Sequence, residues 1–242
     1  MKIEYQIHDL NDVVCAYTAQ KNVNGVLTDV GGRRGMTIEL QIMKVVLSAP
    51  TSAISNKQKA EMILVGGHQH RLQCHKAQNA KNRLIATLEK SLLWIKFKGS
   101  SFEDLYKDVD TVLKNNKCTY AGQITKYDIA KRIGAFVGHK PQKFVYLHSG
   151  ALIGARRLFG NPNLKEGVYP LGMFRKYFQS LDAMEIEDIL CVFHNIYDNG
   201  GIVIRYFFDD NTTPNCHMFW PKQPTKTAVN KVLIKNNLPT IK

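Results

Sequence analysis

The sequence predicts a mainly α protein: a helical domain with a small C-terminal β-hairpin and, on one of two readings, a short N-terminal β element. Three observations point there. Apolar residues recur at helical spacing through most of positions 55–198. Caps and glycine stops punctuate those runs. An extended pattern takes over only in "GIVIRYFF" and "CHMFW", separated by the turn-forming "DDNTTPN". The chain divides accordingly into an N-terminal region 1–54, a helical core 55–198, a β-hairpin 199–220 and a basic C-terminal arm 221–242.

The N-terminal region keeps both of its readings. "GVLTDVGGRRGMTIELQIMKVVL" is either a hairpin turning at Gly31 to Gly35, or a loop leading into a helix over Thr37–Leu47. From Ser55, a capping residue, "KQKAEMILV" reads as a helix stopped by Gly66–Gly67. A longer helix then runs to about Lys98, with Leu84, Leu88, Leu92 and Ile95 on one face. Ser101 with Asp104 resembles a capping box, and Phe102, Leu105, Val109, Val112 and Leu113 form the stripe behind it. Thr125 is expected to cap "KYDIAKRIGAFVG", burying Ile129, Ile133 and Val137 and turning Tyr127, Lys131 and Arg132 toward solvent. "KFVYLHSG" is extended or helical, and "ALIGARRLF" is helical. Gly150 and Gly154, four apart, suit close helix packing better than a phosphate loop. Asp182 with Glu185 caps an amphipathic helix whose core face is Ile186, Ile189, Leu190 and Phe193. A weak helical patch, "TAVNKVLIK", lies in the tail.

A chain of 242 residues can bury a sizeable core without a metal or disulfide. Cys15, Cys74, Cys118, Cys191 and Cys216 are odd in number and contain no C-x-x-C, which argues against a disulfide framework and a zinc ribbon. Cys191 reads as a core thiol. His68, His70, Cys74 and His75 are zinc-ligand types within eight residues, but no second cluster completes a site and the neighbours are basic. No metal is assigned, and no motif calls for a cofactor. Asp209 and Asp210 follow a strand-like run, although "DDNTTPN" is ordinary turn chemistry. No apolar run reaches the roughly 20 residues of a membrane span. The first residues lack the apolar core of a signal peptide, so a cytoplasmic protein is expected, without a membrane partner.

The formal net charge is +13, and it is uneven. Residues 57–98 carry +7, residues 121–160 carry +6 and residues 221–242 carry +5, whereas 161–220 carry −4. Such a chain attracts polyanions, nucleic acid first. The expected contacts lie in "KYDIAKRIGAFVGHKPQKFVYLHSGALIGARRLFG": Lys126, Tyr127, Lys131, Lys140, Lys143, Arg156 and Arg157. A glycine turn before a helix leaves backbone N–H groups free for phosphate. The expected function is therefore nucleic-acid binding through the phosphate backbone without strong sequence specificity, with DNA ahead of RNA. A second reading is an enzyme on nucleic acid or nucleotides, glycosylase- or nuclease-like, using His148, Asp128 and Arg132. A third is an assembly subunit, a homo-oligomer in which the acidic segment meets basic blocks.

Residues 108–137, with Gly122 in the turn, resemble the helix-hairpin-helix module, which implies backbone-directed DNA binding. "TKYDIAKRIG", "VYLHSGALIGARRL" and "IEDILC" also resemble a family of bacterial proteins of unassigned activity. That resemblance covers about 105–192, implies an all-α domain, and includes Tyr127, Asp128, Arg132, His148 and Gly150.

Overall fold

A computed structural model describes residues 3–29, 31–66, 78–198, 201–202, 205–209 and 222–241. In chain order, the first elements are β1 (Ile3–Ile7), α1 (Leu10–Thr18), β2 (Gln20–Val23), β3 (Val26–Asp29) and α2 (Arg33–Ser48). Five helices follow: α3 (Asn56–Val65), α4 (Gln78–Ser91), α5 (Leu93–Lys96), α6 (Phe102–Asn115) and α7 (Gln123–Val137). Then come β4 (Phe144–Leu147), α8 (Ser149–Phe159), β5 (Gly167–Pro170), a short 3₁₀ turn and α9 (Ala183–Val192). The chain closes with β6 (Tyr197–Asp198), β7 (Gly201–Ile202), β8 (Arg205–Asp209) and α10 (Thr225–Lys235). The protein is mainly helical, with small two-stranded antiparallel sheets.

The chain forms two compact units, Met1–Thr37 with Pro141–His217, and Ile38–Lys140 with Met218–Lys242. Residues 55–140 fall in the second unit and residues 141–198 in the first.

In the first unit, α8 and α9 pack on each other and α9 packs on β4. Ile186, Ile189 and Leu190 are fully buried in this core, each contributing about 1.5–3 kcal/mol relative to exposure. The close approach needs small residues. A Cβ on Gly150 would lie 2.7 Å from the Cys191 sulfur, and one on Gly154 would lie 2.2 Å from the Leu190 carbonyl oxygen. Cys191 is a buried thiol, as expected. α9 begins with the expected capping box, in which Asp182 accepts from the Glu185 N–H and Glu185 accepts from that of Asp182, both at 2.9 Å.

The N-terminal region contains both a hairpin and a helix, but the turn is elsewhere. Strands β2 and β3 pair antiparallel around Asn24–Gly25, which take φ of 52° and 83°. Those positive angles suit Asn-Gly, the dipeptide of tight hairpins. Glycines 31 and 32 instead lead into α2 at Arg33. Near the C-terminus, the described parts of "GIVIRYFF" belong to two strands, β7 and β8. β7 pairs with β6, and β8 pairs antiparallel with β1, Ile3 opposite Asp209. The other expected arm, Cys216–Trp220, lies outside the described residues.

In the second unit, α7 packs against α3, α5 and α6, and α4 packs on α3 and α6. Both serine caps are present: Ser55 and Ser101 each form a full capping box, with Gln58 and Asp104. The long helix expected to reach Lys98 is broken at Leu92, whose φ of 49° separates α4 from α5. The break turns Ile95 outward, 55% exposed, instead of onto the buried face. Gly122 is the N-cap of α7, three residues before the expected cap. The Lys126 N–H already bonds the Gly122 carbonyl at 3.2 Å, and Thr125 is buried in the first turn. No described helix is long and apolar enough to cross a membrane.

Candidate functional site

Tyr127, Asp128, Lys131 and Arg132 share one side of α7, opposite Ile133. A single apolar stripe had implied that this side faces water. All four are buried, because α7 is covered by helices on more than one face. Tyr127, Lys131 and Arg132 are therefore core residues, not surface phosphate contacts.

Arg132 is 1% exposed and Glu39 is 0% exposed. The Arg132 Nε donates to Glu39 Oε1 at 2.7 Å, and Nη2 reaches Asp128 Oδ2 at 3.4 Å. Nη1 donates to the carbonyls of Ile63 and Leu64 at 2.8 and 3.0 Å, in the last turn of α3. A cation there satisfies carbonyls that the helix leaves unbonded. Burial opposes the guanidinium charge, but Asp128 and Glu39 more than offset it, leaving its pKa above the ordinary value. Lys131 Nζ lies 3.7 Å from Asp128 Oδ1 and 5.6 Å from the Tyr127 ring centre. Two acids and two bases thus balance in the core and tie α2, α3 and α7 together.

His148 belongs to the other unit, so the three residues expected to form a catalytic set do not share one. It precedes α8 with extended backbone and is 3% exposed. Its Nε2 lies 3.8 Å from Glu187 Oε1. Next to Glu187 on α9, Asp188 accepts from the Tyr17 hydroxyl at 2.9 Å. Burial first, and Asp188 second, hold that phenol well above its usual pKa. Glu187 and Asp188 are buried too. This polar cluster is interior, where a polymer substrate has no access to the imidazole.

Of the remaining expected contacts, Lys140, Lys143 and Arg157 are exposed. Lys126 Nζ meets Asp110 at 2.5 Å. Arg156 Nε donates to the Leu164 carbonyl at 2.8 Å, and Arg157 Nη1 to that of His194 at 2.9 Å. Arg33 bridges Asp29 and Glu185 at 2.8 and 3.2 Å. The His68, His70, Cys74 and His75 cluster and Asp210 lie outside the described residues. Among the described residues there is no group of three or more potential metal ligands.

The tail is a packed helix. Thr225, Val229 and Leu233 form the buried stripe of α10, four residues apart. Thr225 donates to Glu61 at 2.7 Å, and Ile241 folds back to exchange hydrogen bonds with Asn230. The other side of α10 carries Lys231 and Lys235. Together with Lys44 of α2 they line a groove of about 1300 Å³, and none of the described residues lining it is acidic. Val45, Pro50, Ala53 and Val232 supply apolar surface. Lys59 closes the end of α2 from behind, donating to the Leu47 carbonyl at 3.1 Å and also to that of Ala49. Its burial lowers its pKa.

Sequence reasoning missed this groove. Lys231 and Lys235, four apart in an acid-free tail, were a visible signal; Lys44 was not, because only the fold brings it there. Comparison of the chain with protein-family models, curated proteins and solved structures finds no match.

Proposed function

We propose that this chain binds nucleic acid through the phosphate backbone, without reading base sequence, with DNA as the first ligand to test. The observation that carries the reading is the groove lined by Lys44, Lys231 and Lys235, with no acid among its described lining residues. It lies in a chain of net charge +13, which draws a polyanion toward any basic concavity. None of the three amines is ion-paired with a described residue. Lysine is a flexible point charge that suits backbone phosphate and carries little base information.

The test is a fluorescence-anisotropy titration with labelled oligonucleotides over a range of salt. Three neutralised phosphates give a slope of log K against log salt of about −2 on single strands and −2.7 on duplex. A flat salt response, or no affinity at low salt, rejects the reading.

A further inference from the structure

We infer that the groove between α2 and α10 takes a single-stranded phosphodiester chain rather than a duplex. This rests on the backbone-binding reading above and adds the form of the ligand and its place. Lysines come from two helices, Lys44 from α2 and Lys231 and Lys235 from α10, so charge lines the concavity from both elements. A strand lying inside it can engage both. A duplex is a stiff rod, straight over about 50 nm, and cannot sink into a short concave site; it meets only the rim.

Lys231 and Lys235 are one turn apart, about 6 Å along the helix axis. That is the order of the separation between neighbouring phosphates of a strand, so the two amines can take successive phosphates. Ser52 adds a hydroxyl to the lining, suited to phosphate or sugar oxygens. Val45, Ala53 and Val232 give the sugars and base edges an apolar surface. Among the described residues no aromatic side chain lines the groove, and lysine–phosphate contacts dominate. A strand held in this way is bound irrespective of its sequence.

The experiment uses the full chain and a labelled oligothymidylate of about 20 nucleotides, beside a duplex of equal length, at about 50 mM salt. Lys44→Glu/Lys231→Glu/Lys235→Glu is compared with Lys107→Glu/Lys165→Glu/Lys176→Glu, which changes the net charge equally at exposed sites outside the groove. The expected result is tighter binding of the single strand than of the duplex. The groove variant loses roughly tenfold or more, and its salt slope flattens by about 2. The control changes far less. The milder Lys231→Gln/Lys235→Gln, verified folded by its urea midpoint, should show the same order. Equal losses in groove and control variants overturn the inference while leaving general backbone binding intact. Duplex binding as tight as single strand overturns it as well, and so does competition by polyglutamate as effective as by the oligonucleotide. No binding of either nucleic acid by the unaltered chain overturns the backbone reading itself, and this inference with it.

Discussion

Replacing Arg132 with methionine keeps most of the side-chain volume and removes the one cation that touches Glu39, Asp128 and the end of α3 together. Glu39 is fully buried, so its carboxylate loses its 2.7 Å partner without gaining water. Removing one member of a buried ion pair costs about 3–5 kcal/mol. The Ile63 and Leu64 carbonyls lose their donor as well, each at about 1 kcal/mol. These terms overlap, so we expect a net loss of about 4 kcal/mol, close to a thousandfold in the unfolding equilibrium. The assay is urea denaturation at neutral pH, read by circular dichroism. Arg132→Lys should recover only part of the loss, because a lysine cannot span two carboxylates and two carbonyls with a planar fork. Arg132→Met/Glu39→Met should be less destabilised than the sum of the single variants, because the pair's interaction is then lost only once. The reasoning is refuted if Arg132→Met loses under about 1 kcal/mol yet abolishes oligonucleotide binding. In that case the guanidinium serves phosphate and not the core.

Three further outcomes follow from named contacts. Gly154→Ala places a methyl 2.2 Å from the Leu190 carbonyl, so α8 and α9 must separate, at about 1–3 kcal/mol; an unchanged melting temperature contradicts the close packing. His148→Ala should lower stability by roughly 1–3 kcal/mol and leave oligonucleotide affinity unaltered, whereas intact stability with a lost nucleic-acid-processing activity would favour chemistry at that ring. Partial burial raises the Asp29 carboxyl, but hydrogen bonds from Arg33, Gln20 and Thr37 outweigh it and hold its pKa below the ordinary value. A carboxylate depressed on folding adds stability above its unfolded pKa of about 3.9, and that stability is lost as pH falls through the folded value. Asp29→Asn should therefore lower the urea midpoint at neutral pH, with the difference from the parent shrinking as pH drops below about 4; a difference independent of pH counts against the ion-pair account.

Features that depend on a few neighbouring residues were legible in the sequence. Ser55, Ser101 and Asp182 cap their helices because a cap needs only a side chain and the N–H three residues on. The Gly150–Gly154 spacing correctly marked a close helix contact, since few residues other than glycine fit under a neighbouring backbone. Asn24–Gly25 was legible too, but the glycine-rich stretch just after it drew the turn to the wrong place. Non-local features could not be read. Ile129 and Ile133 identify one buried face of α7, but which other faces are covered depends on α3, α5 and α6. Lys131 and Arg132 therefore read as surface charges when they are interior ones. Pairing of β8 with β1 joins segments some two hundred residues apart, and no local pattern specifies it. The groove is similar: the basic tail was apparent, its packing beside Lys44 was not.

The most direct measurement is lysine protection. The chain is acetylated under limiting reagent with and without a short single-stranded oligonucleotide, and each lysine is quantified by peptide mass spectrometry. Binding in the α2–α10 groove predicts that Lys44, Lys231 and Lys235 are shielded together while Lys107 and Lys165 react as before. Unchanged reactivity at the three groove lysines, with protection appearing at Lys107 and Lys165, would contradict it.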